Sequence, residues 1–168
     1  MADETGPFSA EYGTLDALRR LADAWNPSPP MRQLGARLDF TRVDRVRAVI
    51  DPVQDYHRGG LGTDAVNGVV LAGLFDLVIG TVGWLARPDR RSATVQLSMS
   101  FLRPTEGDRV EAEARLVRPG LNLLFAAAEI RDASGRLTAR CDGVCAVALG
   151  PVADREILEK MRAGKVAP

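Results

Sequence analysis

The strongest constraint on the fold is a long apolar stretch that carries a single charge. It begins after a glycine-rich loop at residues 54–66, and the only charged side chain between Asp64 and Arg87 is Asp76. An apolar segment has no structural need for a carboxylate, and burying one without a partner costs several kcal/mol. Asp76 is therefore the first candidate for a functional residue.

The same stretch predicts a long central helix that ends at about Ala86. Asn67 is a suitable N-cap, and Gly68 would lie in the first turn with a free backbone N–H. The helix is apolar nearly all round, so we expect it to be buried on most sides. About 20 apolar residues can also span a bilayer. Asp76, Asn67 and the glycines within the run argue against a membrane span.

The residues before this stretch predict one helix and two strands. Thr14 to Trp25 has an apolar stripe at helical spacing, with Thr14 as N-cap and a proline-rich segment after Asn26. Residues 1–13 are expected to be loosely attached. Residues 35–44 and 46–53 alternate between apolar and polar side chains, which predicts two strands.

After Arg91 the apolar pattern changes to period two, which is typical of strands. The predicted strands are 93–102, 109–117, 123–131 and 137–149, joined by hairpin turns, with a short helix at 151–163. Hairpins make neighbouring strands antiparallel. The expected class is α+β, with an antiparallel sheet of about six strands wrapped around the central helix. The expected divisions are an N-terminal tail and helix at 1–33, a main domain at 34–150 and a C-terminal helix or tail at 151–168.

Composition narrows the possible partners. The 22 basic and 22 acidic residues balance, so no net field favours nucleic acid or an anionic membrane, and we expect neither as a partner. The first residues lack a basic start and an apolar middle, which favours the cytoplasm over secretion. Cys141 and Cys145 lie about 13 Å apart along one predicted strand, too far for a disulfide. With one histidine in the chain they make a poor metal site, so no metal is expected.

The order of elements and the segment NGVVLAGLFDLVIG resemble the hotdog fold. The closer resemblance is to the phenylacetic-acid-degradation (PaaI-like) branch of the acyl-CoA thioesterases. That branch starts its central helix with His-Gly-Gly, and an aspartate within Leu-x-Asp follows nine residues after the histidine, the spacing of Asp76 from Asn67 here. Gly68 and Val69 stand at the two glycine positions. The resemblance covers about residues 34–149, including a strand that ends in proline at Pro104.

The resemblance implies hydrolysis of an acyl-CoA thioester to free acid and CoA, with no cofactor beyond the coenzyme A of the substrate. Asp76 would be the catalytic carboxylate, acting as general base or as nucleophile. The Gly68 backbone N–H would polarise the thioester carbonyl. Thr94, on the following strand, would orient water or the carboxylate, and Asn67 takes the place of the histidine.

Substrate binding is expected from the loop and from a later hairpin. The implied residues are His57, Arg58, Gly59, Gly60, Val69 and Gly120. The family usually has an asparagine where Gly59 stands, and His57 or Arg58 could fill that polar role. A basic residue often follows the hairpin glycine and helps to hold CoA, whereas here Leu121 follows Gly120.

Helix geometry places the Gly68 N–H and the Asp76 carboxylate far apart within one subunit. A helix N-terminus has unpaired N–H groups and a partial positive charge, which suits a developing oxyanion. Asp76 lies eight residues after Gly68, or about 12 Å along the axis, too far for both to act on one thioester. The resemblance implies a homodimer in which Gly68 of one subunit faces Asp76 of the other. Two such dimers could also assemble into a homotetramer.

Each assignment has a plainer alternative. Asp76 could be a polar residue that fixes the dimer register, Asn67 only an N-cap and Thr94 an ordinary strand residue. His57 could be a solvated loop residue. Two other functions stay open. One is a non-catalytic acyl-CoA or lipid-binding protein, and the other is an enoyl-CoA hydratase or dehydratase, for which His57 is the only histidine available.

Overall fold

The computed structural model describes residues 7–59 and 64–151, which form three α-helices and six strands. The helices are α1 (Leu15–Trp25), α2 (Pro29–Leu34) and α3 (Gly68–Ala86), and the strands are β1 (Arg37–Leu38), β2 (Val46–Ile50), β3 (Arg90–Phe101), β4 (Val110–Arg118), β5 (Leu123–Arg131) and β6 (Leu137–Pro151). Two short 3₁₀ helices lie at Ala10–Tyr12 and Asp55–His57.

The six strands form one antiparallel sheet in the order β1-β2-β4-β5-β6-β3. The central helix α3 packs against strands β2 to β6. Its sheet-facing side chains are fully buried and include Leu74, Phe75, Val78, Ile79, Val82 and Leu85. The predicted α+β class, with a six-strand antiparallel sheet around a central helix, is confirmed.

Helix α3 begins and ends where the sequence predicts. The Asn67 side chain caps it by accepting a hydrogen bond from the Val69 N–H at 2.8 Å. In the part of the chain that the structure describes, α3 is the one helix long and apolar enough to cross a membrane, with 61% of its most apolar window buried. The core helix of a sheet-wrapped domain meets the same criteria, and α3 occupies that position.

Helix α1 also agrees with its prediction. It begins after the Thr14 cap, whose side chain accepts from the Ala17 N–H at 3.2 Å. Leu18, Leu21 and Trp25 are buried on its apolar face.

The loose attachment predicted for residues 1–13 is wrong for residues 7–13. Phe8 and Tyr12 are buried in the core. The Ser9 N–H donates to the Leu85 carbonyl oxygen at 3.0 Å, and the Tyr12 ring lies 5.1 Å from that of Trp84. This segment covers the C-terminal end of α3, a long-range contact that local composition does not encode.

The segment after α1 contains a helix that the sequence pattern does not predict. The proline-rich segment ends α1 as expected, and Ser28 is extended before Pro29 (ψ 154°), but Pro29 and Pro30 then occupy the first turn of α2, where proline is tolerated. The strand predicted at 35–44 shrinks to Arg37–Leu38. The chain then bends, with a bidentate Arg42–Asp44 ion pair within the bend.

The ends of two other strands also differ from the prediction. β2 ends at Ile50, three residues before the predicted end, whereas β6 extends two residues further, to Pro151. The helix predicted at 151–163 falls almost wholly outside the described residues.

Candidate active site

Asp76 lies on the one face of α3 that the sheet leaves uncovered. Gly73, Asp76, Leu77, Gly80, Thr81 and Trp84 follow one another at the i, i+3, i+4, i+7 spacing of a single helical face, and all of them line one cavity. The Asp76 side chain is exposed in the single chain. The expectation that the helix buries its carboxylate is therefore wrong for one subunit, because none of the described strands passes over Asp76.

The cavity has a volume of about 550 Å³ and three walls. One wall is the α3 face. The second is the α1–α2 hairpin, which contributes Trp25, Ser28, Pro30, Met31 and Leu34, and the third is Ser92 to Thr94 at the start of β3. This volume lies within the range of about 300–1,000 Å³ that is usual for small-molecule sites.

A bulge in β3 turns Thr94 into this cavity. Thr94 pairs with Cys145 and Leu97 pairs with Gly143, with a register shift between Thr94 and Gln96. Cys145 and Gly143 are two residues apart and point to the same face of β6, so Thr94 and Leu97 share the inner face of β3. Strict alternation would have placed Thr94 and Leu97 on opposite faces.

Gly80 explains how closely Thr94 can approach α3. A Cβ atom at Gly80 would lie 3.3 Å from the Thr94 hydroxyl oxygen. Gly80 is one turn after Asp76 on the same helical face. The missing side chain therefore lets a strand hydroxyl lie against the helix next to the carboxylate, although the structure shows no hydrogen bond between Thr94 and Asp76 themselves.

A buried thiol lies behind this pair. The Cys145 Sγ–H donates to the Ile79 carbonyl oxygen at 3.4 Å, and burial raises the pKa of the thiol, with a smaller contribution from Asp76. Burial also raises the pKa of Cys141 to about 11. Both cysteines are free and buried, as predicted. Among the described residues, no group of three or more histidine, cysteine, aspartate or glutamate side chains could hold a metal.

The N-terminus of α3 is the second part of the predicted site. Gly68 is exposed, and among the described residues no acceptor pairs with its N–H. Asn67 does more than cap the helix, because its Nδ2 donates to the Gly59 carbonyl oxygen at 2.9 Å. Neither residue lines the cavity that contains Asp76. A single chain therefore keeps the two halves of the site apart, in line with the rise of the helix.

Comparisons with known proteins identify this architecture. The family model of the thioesterase superfamily matches residues 64–139, which run from the loop before α3 into β6. A thioesterase family protein from Silicibacter pomeroyi has a similar structure, with a TM-score of 0.68 and 24% identity, over 79% of this chain and 98% of the other. The fold is the hotdog fold that these thioesterase structures share.

Two further hotdog structures support the same conclusion. A thioesterase from Haemophilus influenzae matches with a TM-score of 0.70 and 20% identity, over 84% of this chain and 94% of the other. The E. coli PaaI protein from the phenylacetic acid degradation operon matches with a TM-score of 0.68 and 16% identity, over 80% and 94%. No match to this chain was found among curated proteins. Together these similarities support the hotdog fold.

The structure gives His57 a position that the sequence does not suggest. The side chain is buried, and Nδ1 accepts from the Gln54 N–H at 2.9 Å. Nε2 donates to the Leu34 carbonyl oxygen at 3.1 Å. Burial lowers the pKa of His57, and nearby Arg58 lowers it further, against a raising contribution from Leu34. His57 is therefore not a solvated loop residue, and both ring nitrogens are bonded to backbone groups.

The other predicted substrate-binding residues do not line the cavity that contains Asp76. Arg58 pairs with Asp108 at 2.8 Å. Gly59 has a φ of 96°, Val69 is 79% exposed at the start of α3, and Gly60 is outside the described residues. Gly120 lies in the β4–β5 turn, where a Cβ atom would come within 2.3 Å of the carbonyl oxygen of Leu123. Their binding roles stay predictions.

Sequence reasoning missed the hairpin side of the cavity. The apolar composition of α3 predicts that Leu71, Leu74, Phe75 and Trp84 build the pocket walls together with strand residues, but of these four only Trp84 lines the cavity. The other three pack in the core. The residues that replace them, Trp25 and Met31 among them, come from α1 and α2. In the sequence, Trp25 belongs to the apolar stripe of α1. Such a stripe predicts burial but does not show which surface the helix packs against.

Proposed function

We propose that this protein hydrolyses an acyl-CoA thioester to a free acid and CoA in a homodimer. The observation that carries the proposal is the position of Asp76, exposed on the uncovered face of α3 at a cavity that also contains Thr94. The match to the thioesterase superfamily supplies the reaction class. The 16% identical E. coli PaaI protein is the structural match within the proposed branch.

In the proposed mechanism, the thioester carbonyl oxygen accepts from the Gly68 N–H of the partner subunit. One such donor contributes about 3 kcal/mol to a tetrahedral transition state. Asp76 either deprotonates the attacking water or attacks the carbonyl carbon itself. In the first route the tetrahedral intermediate expels the CoA thiolate and leaves the free acid. In the second route the thiolate leaves behind a mixed anhydride on Asp76, which water then hydrolyses to the free acid and the regenerated carboxylate. Asn67 holds the N-terminal turn by its bonds to Val69 N–H and Gly59 O.

The dimer is proposed from the free edge of the sheet. β3 is a twelve-residue edge strand of the described sheet, and its exposed apolar side chains include Val95, Met99 and Phe101, followed by the exposed Leu102. Such an edge is prone to pair with another strand. Phe101 also lies beside Gly68. Pairing of β3 with β3 of a second copy would bring a second α3 N-terminus toward this surface.

The first test replaces the carboxylate. Asp76→Asn should lower kcat by at least about 100-fold, because a positioned base or nucleophile contributes roughly that much. Asp23→Asn, a change of an exposed carboxylate on α1 outside the cavity, is the matched control and should keep full activity. Equal turnover by Asp76→Asn and the wild type would remove Asp76 from the mechanism.

The second test asks whether the site is composite. Gly68→Pro removes the N–H donor at the first helical position, where proline is tolerated, and Asn67 already has the extended backbone that precedes proline (ψ 140°). Gly68→Pro and Asp76→Asn should each be inactive alone. Mixed in equal amounts and refolded together, they should recover about a quarter of wild-type activity, since half of the dimers would each have one intact site. No recovery would place both groups in one subunit.

These tests also separate the alternatives. A non-catalytic binding protein would bind acyl-CoA but hydrolyse none of a panel. An enoyl-CoA hydratase needs a histidine beside the substrate, and the only histidine here has both nitrogens bonded to backbone groups. The geometry therefore favours hydrolysis over hydration.

A further inference from the structure

The cavity next to Asp76 has an apolar inner end. Trp25, Met31 and Trp84 are all at least 95% buried, whereas Asp76 at the other end is exposed. The two indole rings lie 5.3 Å apart. A cavity of about 550 Å³ thus has a carboxylate at its exposed end and an aromatic and thioether surface at its buried end.

Resting on the proposed function, we infer that this cavity holds the acyl group, and that the α1–α2 hairpin selects an uncharged, apolar acyl chain of medium length. The scissile carbonyl lies at the Asp76 end, and the chain runs along α3 toward Trp84. Apolar groups gain free energy by leaving water for such a surface. A charged chain end would lose its hydration at the buried end and find no charged partner there. The charged side chain that lines the cavity is Asp76, which lies at the exposed end.

The length of the helix face sets the length of the chain. Asp76 and Trp84 are eight residues apart, which is about 12 Å along α3. An extended alkyl chain zigzags and advances about 1.25 Å per carbon–carbon bond of about 1.5 Å, so that distance corresponds to about nine or ten bonds. An acetyl group would leave the buried end unfilled, and a palmitoyl group would exceed it.

Met31 is the residue best placed to limit this length. It is 3% exposed and lines the cavity from α2, a wall different from the α3 face. The hairpin that carries it is fixed by a short connection, in which the Ser28 N–H donates to the Trp25 carbonyl oxygen at 2.8 Å. At the far end of α2, His57 binds the Leu34 carbonyl oxygen. Met31 is thus held on a wall anchored at both ends.

The first experiment measures kcat/KM for acetyl-, butyryl-, octanoyl-, 4-phenylbutyryl- and palmitoyl-CoA. We expect octanoyl-CoA to exceed acetyl-CoA by tenfold or more, since each buried methylene contributes to discrimination, and palmitoyl-CoA to fall below octanoyl-CoA. The phenyl-terminated substrate shows whether a ring fills the inner end as well as an alkyl chain does. Met31→Ala should move the optimum to longer chains, and Met31→Val, a smaller truncation that should move it in the same direction, serves if the alanine variant does not fold. Gln33→Ala, exposed on the same helix, should leave the optimum unchanged.

The second experiment does not depend on hydrolysis. Trp25 and Trp84 are the only tryptophans of the chain and both line the cavity, so intrinsic fluorescence reports on its contents. Uncharged 1-octanol should change the emission saturably, ethanol at equal concentration should not, and Met31→Ala should weaken the response.

The outcomes distinguish the two proposals. Hydrolysis with no dependence on chain length, or with an optimum that Met31→Ala leaves in place, would overturn the acyl-site inference while leaving the proposed function standing. Absence of hydrolysis for every substrate would overturn the proposed function. In that case, the fluorescence titration with octanol tests the cavity separately. A saturable response supports an apolar chain site in the cavity, and no saturable response overturns the acyl-site inference.

Discussion

His57 joins the cavity wall to the loop before the central helix, so its removal should affect both. Its Nδ1 accepts from the Gln54 N–H, and its Nε2 donates to the carbonyl oxygen of Leu34, a residue of the cavity wall. The Tyr56 ring lies 4.1 Å away in an edge-to-face arrangement. Gly35 leaves the space for the imidazole, because a Cβ atom there would lie 2.5 Å from Nε2.

The cost of His57→Ala can be worked from these contacts. Each lost hydrogen bond contributes about 1 kcal/mol net, and the ring contact with Tyr56 contributes about 1 kcal/mol more. The sum is about 3 kcal/mol, a large part of the roughly 5–15 kcal/mol of a typical domain. Urea unfolding at pH 8, followed by tryptophan fluorescence, should show this loss. A loss below about 1 kcal/mol would refute the view that His57 anchors α2.

The same residue predicts a pH dependence with a definite sign. Burial lowers the pKa of His57 in the folded state below the ordinary value of 6.5, so the unfolded chain binds the proton more readily. Stability is therefore fully present above pH 6.5 and falls as the pH drops below it, by up to about 1.4 kcal/mol per pH unit. Protonated Nδ1 could no longer accept from Gln54 N–H.

The variant isolates this effect because His57 is the only histidine in the chain. Between pH 7.5 and 5.5 the wild type should lose stability while His57→Ala stays nearly flat, since most carboxylates titrate at lower pH. A parallel decline of the two proteins, or a wild type that gains stability in acid, would refute the reasoning.

Three further predictions concern packing, capping and a buried carboxylate. Gly83→Ala should destabilise by about 1 kcal/mol in denaturant unfolding, because its Cβ would lie 2.8 Å from the Cys145 sulfur and 2.9 Å from the Cys145 Cβ, and overpacking outweighs the helix propensity gained. Adding Cys145→Ala should restore only part of the stability, because it removes the sulfur and keeps the Cβ. Thr14→Ala should cost about 1 kcal/mol of unfolding free energy through loss of the α1 cap, and Thr14→Ser should not. Asp132 is buried, which alone would raise its pKa, but hydrogen bonds within the 132–136 turn hold the pKa below its usual value. The stability that it contributes should be present at neutral pH and be lost in acid as the pH falls through that lowered value, a loss that Asp132→Asn should not share in acid titration.

The sequence predicts best where local chemistry decides the structure. Asn67 caps α3 and Thr14 caps α1 as expected, because a cap depends on one side chain and the next turn of backbone. The apolar composition of α3 indicates burial because such a helix has to be surrounded. Period-two patterns located β3 to β6, whose bounds shifted by only a few residues.

The remaining features depend on contacts far apart in the chain. The segment with Phe8 and Tyr12 packs only because the end of α3 offers a surface to it. The bulge in β3 depends on pairing with β6 and reverses the side of Thr94 relative to Leu97. Met31 could not be recognised as a cavity residue, since neither α2 nor its place in the cavity wall follows from the local pattern.

Three features of the single chain have one common explanation. Asp76 is exposed on a helix that is otherwise largely apolar. Within residues 7–59 and 64–151, the Gly68 N–H has no acceptor, and the outer edge of β3, which carries exposed apolar side chains, pairs with no strand. The other edge strand, β1, has only two residues, so it is protected by its shortness, whereas β3 has no such protection. A second copy paired along β3 would cover the apolar edge and bring a partner's Gly68 toward Asp76. In a mixed dimer of Gly68→Pro and Asp76→Asn subunits, one site would then keep both an intact Gly68 N–H and an intact Asp76. Activity would recover because the second subunit that pairs with β3 also supplies the missing group of the site.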